Sequence, residues 1–422
     1  MLKVLKGLLL GGISHVGART WTYTQETENA LFKTAYGKHN AMAFNQRSAL
    51  YGRIKKKTNF KGKDMVSSIR LSYGGGRGSG KLPRASRALY KQITLKTKKL
   101  YHRLSIDNET FEASKSSLGA FVNMAKEPME VARIAFSNLL ERQIVLGDLT
   151  GSGLLMTSPA SSRSAATTVT SPFELEMTAG DIAESLEEGD VCDLVYGSNT
   201  LVAEVTKVTE GATPEVTFKR LDGASAAIAA TAKVDVYLQN SKDAELEGLH
   251  GVLKATSGTY KGIAIGRRWQ SYQDTTSGAL TKARLNKAVL QIVKRCGEVP
   301  TVIVVNHKQY TTILDLFEDI KRIQIPARGK ALKAQVGYAA LEYVSPQGTI
   351  PIVFNRYVKE GDLYLLNEDK IELVSRAAPQ WFNRDGTVFL RETDEDTYEA
   401  RYGCFSDLFI QPFYQGVITG LT

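Results

Sequence analysis

Apolar positions along this chain change period several times, and each change marks a different kind of element. From Pro128 to Leu146, Ala132, Ala135, Phe136, Leu139 and Leu140 recur at helical spacing. The spacing predicts a helix over 128–146, with Pro128 in its first turn, Glu130 favouring the N-terminal dipole and Gly147 as a stop. Such a helix is roughly 28 Å long at 1.5 Å per residue, enough to act as a spine. A glycine turn follows, from Gly147-Asp148 through Gly151 and Gly153. Leu285, Ala288, Val289, Ile292 and Val293 predict a second helix over 282–295, with Thr281 as cap and Gly297 as stop. A buried strand, Thr301 to Val305, leads through Asn306, another cap, into a helix ending near Phe317.

Elsewhere the period shortens to two. Met65 to Tyr73 is β-prone, a tip with five glycines (Gly74, Gly75, Gly76, Gly78, Gly80) interrupts it, and a return stretch runs from about Ala88 to Ile106. This is a ribbon whose few apolar residues cannot build a core. An isolated two-stranded ribbon is marginal in water, so an intermolecular contact is the economical expectation. After a linker of small residues, 157–168, come short β-runs at 191–196, 201–205, 215–218 and 234–238, which predict a small barrel or sandwich. Beyond 241 the pattern is mixed, and closing strands are expected near 350–355, 361–367, 370–375, 387–392 and 398–412.

Charge divides the chain differently from hydropathy. Residues 1–100 hold 21 Lys/Arg against 3 Asp/Glu, a net of +18, and the other 322 residues hold 33 against 41, a net of −8. A cationic arm on an anionic body either binds a polyanion or lies on the body of an identical neighbour, and the neighbour is favoured here. The β-rich stretch has few cations, which argues against a nucleic-acid module. The start, Met1 to Gly12, imitates a signal peptide, but its apolar patch is too short and no cleavage site follows; a short amphipathic helix or ordered arm is expected instead. No apolar run approaches the roughly 18–20 residues that span a bilayer. Cys192, Cys296 and Cys404 are scattered, as reduced thiols of a cytoplasmic protein would be. The five histidines form no metal-binding spacing.

Two motifs resemble chemistry and fail on inspection. Residues 75–81 read Gly-Gly-Arg-Gly-Ser-Gly-Lys, the first part of a phosphate loop. Leu82 then replaces the magnesium-binding hydroxyl, and Pro83 stands where the helix should begin. A basic loop tip is the better reading. The acidic runs Asp394-Glu395-Asp396 and Glu184, Glu187, Glu188 have no base or metal ligand beside them and read as solvated surface. No nucleophile elbow, cofactor site or metal site is found, and no enzyme is expected.

The order of elements (basic arm, long ribbon, spine helix, glycine turn, mixed body, closing strands) resembles the major capsid proteins of tailed bacteriophages with the Hong Kong 97 phage-type fold. Several segments carry the resemblance. Leu139 to Asp148 looks like the spine helix entering its Gly-Asp turn. Gly248-Leu-His-Gly251-Val-Leu253 is similar to the loop that follows that turn, here displaced by the β-rich stretch. Val302 to Asn306 and on to Tyr310 looks like entry into the axial domain. Gly361 to Leu365, Tyr398 to Tyr402 and Gln411-Pro412-Phe413 resemble the closing strands.

The resemblance implies an α+β fold with an N-terminal arm at 1–62 and an extended β-hairpin loop at 63–108. A peripheral domain with the spine helix would occupy 109–165, an inserted all-β module 166–240, and more peripheral domain 241–297. The axial domain would cover 298–356 and closing strands 357–422. It implies a head protein that forms hexamers and pentamers of itself, closing an icosahedral shell around double-stranded DNA held non-specifically. Assembly would take place in the host cytoplasm, with no membrane, and the protein would end in the virion. A separate scaffolding protein, a portal and a decoration protein would be its partners, since no long scaffolding segment precedes the arm. No local motif identifies participants for the covalent Lys–Asn crosslink of the type member, which is not carried over.

On this view Arg70, Arg77, Lys81, Arg84, Arg87, Lys91, Lys96, Lys98 and Lys99 reach neighbouring subunits. Their partners would be acidic patches such as Asp394, Glu395 and Asp396, or Glu184, Glu187 and Glu188. Two alternatives remain open. One is a non-specific nucleic-acid-binding protein whose basic region neutralises phosphates, with Tyr51, Phe60, Tyr73, Tyr90 and Tyr101 stacking on bases. The other is a nanocompartment shell protein of the same fold.

Overall fold

The computed structural model describes residues 50–58, 60, 62–71, 89–108, 118–159, 167–168, 172–177, 186–209, 214–221, 227–228, 232–318, 341–345, 348–383, 387–391 and 396–422. Among the described residues, two large sheets and four α-helices form the body. The first sheet is built on Thr397–Ile410, which pairs antiparallel with Ile371–Trp381 on one side. On its other side it takes Lys98–Asp107, with Ser406 opposite Lys98 and Thr397 opposite Asp107. Lys55–Lys57 joins the outer edge, parallel to Ile371–Trp381.

The second sheet runs in the order Tyr272–Asp274, Gly416–Ile418, Leu363–Leu366, Val302–Val305, Gly348–Phe354, Leu341–Ser345. Its central strands are apolar at every position because both faces are covered. Val302, Val304, Tyr364 and Leu366 face one core, shared with the long helix α1 (Leu118–Leu146) and α2 (Leu249–Lys254). Ile303, Val305, Leu363 and Leu365 face the other, under α3 (Lys282–Cys296) and α4 (His307–Glu318). The caps are those expected. Thr281 accepts from the Arg284 N–H, Gly297 takes φ +79°, and Asn306 accepts from the Gln309 N–H at 2.9 Å.

The spine helix differs from its expected extent. It begins at Leu118 and carries Pro128 in its interior, not in its first turn. A proline there removes one intrahelical hydrogen bond and costs about 3 kcal/mol. Ala125, Lys126 and Glu127 are strong helix formers and continue the helix on the N-terminal side. At its other end Gly147 meets Gly248 and Gly251 of the α2 turn with no room for side chains. A Cβ on Gly251 would lie 2.1 Å from the Leu149 nitrogen, and one on Gly147 would lie 2.3 Å from the Leu246 carbonyl oxygen. Asp148 ties the outgoing turn, accepting from the Thr150 N–H at 3.0 Å and the Ser152 N–H at 2.8 Å. Partial burial pushes its carboxyl up, but the Ser152 and Thr150 hydrogen bonds outweigh that and hold it below the usual aspartate range.

The β-rich stretch forms its own sheet, in the order Leu154–Ser158, Val234–Leu238, Val191–Tyr196, Asn199–Thr209, Glu215–Arg220, Phe173–Glu176. It encloses a separate core that includes Leu175, Leu194, Val205, Phe218 and Val236. Leu154–Ser158 belongs to this sheet, so the unit starts before residue 166. Its buried residues, Leu155, Met156 and Ser158, do not alternate, because the pairing shifts register at Val236 and Tyr237, so the strand lacks the period that would mark it in the sequence.

Candidate inter-subunit surfaces

The basic run that ends the arm is fastened within its own chain. Leu50, Ile54 and Phe60 enter the main core, and the N–H groups of Leu50 and Tyr51 donate to the Glu141 carboxylate of α1 at 2.8 and 2.7 Å. Asn355 donates to the same carboxylate at 2.7 Å. Burial pushes the Glu141 carboxyl up, and these three hydrogen bonds only partly offset it. The parallel register sets Lys55 to Lys57 beside Glu372 to Val374. It brings Arg53 to Glu368 (3.1 Å), Lys55 to Asp369 (2.9 Å) and Lys57 to Glu372 (2.7 Å). Sequence reasoning missed these pairs. Their only local signal is the acidic Glu368-Asp369 between two strands, more than three hundred residues from the lysines.

The ribbon is Asp64–Arg70 paired antiparallel with Tyr90–Lys96. Its root does not wait for a neighbour. Ile93 and Leu95 are buried in the main core, and Met65, Ile69 and Leu71 pack against it. The expectation that this apolar set needs an intermolecular surface is therefore corrected for the root. Strand alternation puts Met65, Ile69, Ile93 and Leu95 on the inner face, and the body supplies their partners. Polar groups fix the same place. The Thr94 N–H donates to the Lys261 carbonyl at 3.3 Å, and the Lys96 N–H donates to Asp407 at 3.0 Å. The Lys261 ammonium sits between Asp407 (2.6 Å) and Glu247 (3.1 Å), nearly excluded from water. Such a group is costly unless paired, and here it has two carboxylates.

The opposite ribbon face is open: Val66 is 56% and Tyr90 59% exposed. Arg70 closes the first strand opposite Tyr90. Lys91, Lys96 and Lys99 have exposed side chains. Lys98 instead donates to the Asp243 carbonyl of its own chain at 3.1 Å. Arg77, Lys81, Arg84 and Arg87, the phosphate-loop-like 75–81, and Asp394, Glu395 and Glu184 lie outside the described residues. Asp396 is engaged locally, by Arg391 at 3.3 Å and by the Asn108 side chain at 3.1 Å. Glu187 accepts from Arg356 at 3.4 Å.

A third surface lies on the outer side of the first sheet. Tyr101, Phe382, Val388 and Leu390 line a groove of about 310 Å³, flanked by Arg103 and Arg401. Tyr101, Phe382 and Phe405 pack edge-to-face and stacked, with centroids 5.3–5.8 Å apart. Glu399 holds both arginines, at 2.8 Å from Arg103 and 2.5 Å from Arg401, and their hydrogen bonds outweigh its burial to keep its carboxyl below the usual range. Among the described residues, no group of three His, Cys, Asp or Glu could hold a metal ion, and no helix is long and apolar enough to cross a membrane. All three cysteines are unbridged.

Comparison with known proteins bears on the family and the fold. The family described as SU10 major capsid protein matches residues 199–386. Comparison with curated proteins finds no match. Among solved structures, a chain of the cyanophage A-1(L) capsid aligns with TM-score 0.56 at 14% identity, covering 94% of this chain and 99% of that one. Gordonia phage Cozz aligns with TM-score 0.45 at 9% identity, covering 97% and 98%. The SrpI encapsulin of Synechococcus elongatus PCC 7942 aligns with TM-score 0.43 at 6% identity, covering 95% and 96%. The last two are too loose to decide between a phage shell and an encapsulin. The α+β fold is that of a phage capsid chain, and in family match and in fold this protein is similar to the major capsid proteins of tailed bacteriophages.

Proposed function

We propose that this chain is the major capsid protein of a tailed bacteriophage, a structural subunit and not a catalyst, that assembles with copies of itself into the head. The observation that carries this is the capsid-protein family match over 199–386, on a chain whose fold follows a phage capsid chain along nearly its whole length. The finer reading is the Hong Kong 97 phage-type plan. Residues 1–62 are the arm, 63–108 the extended loop, α1 the spine of the peripheral domain, and 298–356 the axial domain. The six-stranded unit, 154–238, is an insert that faces outward, away from packaged double-stranded DNA. Hexamers and pentamers close an icosahedral shell, with a separate scaffolding protein, a portal and a decoration protein as partners. The exposed cations Lys91 and Lys96 of the ribbon and Lys99 of the strand that follows it form no ion pair among the described residues, which supports a contact in trans.

Negative-stain electron microscopy of the purified chain, alone and with its neighbouring gene products, tests the reading. Closed particles of uniform size are expected. A discrete monomer or dimer under every condition, with DNA binding that collapses between low and moderate salt, would instead favour the nucleic-acid alternative.

A further inference from the structure

Three charged groups meet under the root of the ribbon. The Lys261 nitrogen is 2.6 Å from Asp407 Oδ1 and 3.1 Å from Glu247 Oε2. The side chains of Lys261 and Asp407 are 6% and 1% exposed. Tyr260, with its ring centre 5.7 Å from the Lys261 nitrogen, begins an aromatic stack that continues through Trp269 and Phe409. Burial pushes the Glu247 carboxyl up, against the pull of the Lys261 charge and hydrogen bond. An ammonium and a carboxylate held in so dry a place have both lost their hydration, a cost that an uncharged pair would not carry.

The backbone aims the lysine into this site. Lys261 and Gly262 make the two-residue turn between the short strands Thr259–Tyr260 and Ile263–Ala264, with φ of +50° and +85°. Such turns favour Asn-Gly, so a lysine in the first position is unusual. Its carbonyl is held by the Thr94 N–H and its ammonium by the two carboxylates. On Asp407 the two oxygens are divided: Oδ2 accepts from the Lys96 N–H at 3.0 Å, and Oδ1 faces Lys261. At a trigonal hydrogen-bond angle that contact puts the nitrogen within the roughly 3–3.5 Å of the carboxyl carbon that defines a near-attack geometry. One buried site thus holds an amine, a carboxyl carbon, a backbone donor on the oxygen that would gain charge, and a further carboxyl able to carry protons.

We propose that Lys261 and Asp407 condense into an isopeptide bond within one chain, with Glu247 as the proton carrier. Lys261 Nζ attacks Asp407 Cγ; the Nζ–Cγ bond forms and the Cγ–Oδ1 bond breaks. Two of the three ammonium protons pass by way of Glu247 to Oδ1, which leaves as water, and Glu247 ends as it began. Oδ2 becomes the amide oxygen and keeps its hydrogen bond from Lys96. No oxidant or co-reactant is required. The product replaces two buried charges by a neutral amide and ties the 259–264 hairpin covalently to the closing strand 397–410, directly beneath the ribbon. Both partners belong to one chain, so the bond needs no neighbour and does not depend on the shell reading.

Mass spectrometry of the purified, denatured full chain tests the bond. The wild type is expected to be lighter than its sequence mass by one water, and its tryptic digest to contain a branched peptide joining Lys261 to Asp407. Lys261→Arg should show its full sequence mass. Glu247→Gln, nearly the same shape, should keep the wild-type circular dichroism spectrum while its bonded fraction falls at least about tenfold, as loss of a general acid–base group does. A wild type at full sequence mass overturns the bond and leaves an ion pair, whatever the variants do. A water loss that persists in Lys261→Arg also overturns it, and bonding undiminished in Glu247→Gln overturns the role given to Glu247.

Discussion

The two lysine-rich stretches of the N-terminal region differ in where their counter-charges are. Arg53, Lys55 and Lys57 lie on a parallel strand whose register delivers Glu368, Asp369 and Glu372 from the same chain. Lys91 and Lys96 lie on the ribbon and Lys99 on the strand that follows it; all three side chains are exposed and form no ion pair among the described residues. Both stretches look alike in composition. What separates them is hydrogen-bonded register, which turns one into a clasp within the subunit and leaves the other available to a neighbour. A charge imbalance in a sequence thus reports a need for partners without saying in which molecule they are.

The largest expected effect removes the part of the ribbon beyond its root. Deletion of residues 74–87 is expected to leave a folded monomer, with the wild-type circular dichroism spectrum, that forms no closed shells. Normal shells from that deletion would erase the distinction between the two stretches. Next comes the root itself. Ile93 is 2% exposed inside the main core, so Ile93→Ala should cost about 3 kcal/mol by chemical denaturation of the monomer. Val66→Ser, on the open face of the same ribbon, should leave monomer stability within about 0.5 kcal/mol while weakening assembly. If both changes destabilise the monomer equally, the ribbon has no free face.

A somewhat smaller effect is expected at the clasp. Glu141→Ala deprives the Leu50 and Tyr51 N–H groups and the Asn355 amide of their common acceptor, and should cost about 2 kcal/mol, because a buried unpaired donor keeps its desolvation penalty. Removing a partly uncomfortable buried carboxylate offsets some of that. Proteolysis near residue 50 should accelerate in the same variant, which a purely global loss of stability would not confine to that site.

Local signals were legible and long-range ones were not. The caps Thr281, Gly297 and Asn306, the buried strand at 302–305 and the long closing strand at 397–410 follow from turn chemistry and period, which act over a few residues. The start of the spine helix was misplaced because Pro128 is as good a beginning as it is a tolerated interior residue, and propensity alone ranks the two wrongly. Of the expected contact residues, Lys98 turned out to bond its own chain and Asp396 to be tied to Arg391 and Asn108. The clasp could not have been read at all. Nothing in Lys55 to Lys57 encodes that strand 371–381 will lie parallel to it, since that pairing is decided by which apolar faces share the core.

The smallest expected effect tests the clasp as electrostatics. The Lys55 ammonium, by its hydrogen bond first and its charge second, holds the Asp369 carboxyl below its ordinary value of 3.8. A depressed carboxyl stabilises the fold above its unfolded value and loses that contribution as pH falls through its folded value. The stability difference between wild type and Lys55→Ala should therefore be constant from pH 5 to 8, shrink below pH 4 and vanish in stronger acid. It should also be small and fall with added salt, because both side chains are more than half exposed, at 53% and 65%. A difference that persists unchanged into acid would mean that the lysine acts through its aliphatic stem. Shell assembly should be unaffected throughout. If Lys55→Ala reduces assembly as strongly as deletion of residues 74–87, this stretch also works between subunits, and neutralisation within one chain does not exclude a role in the next.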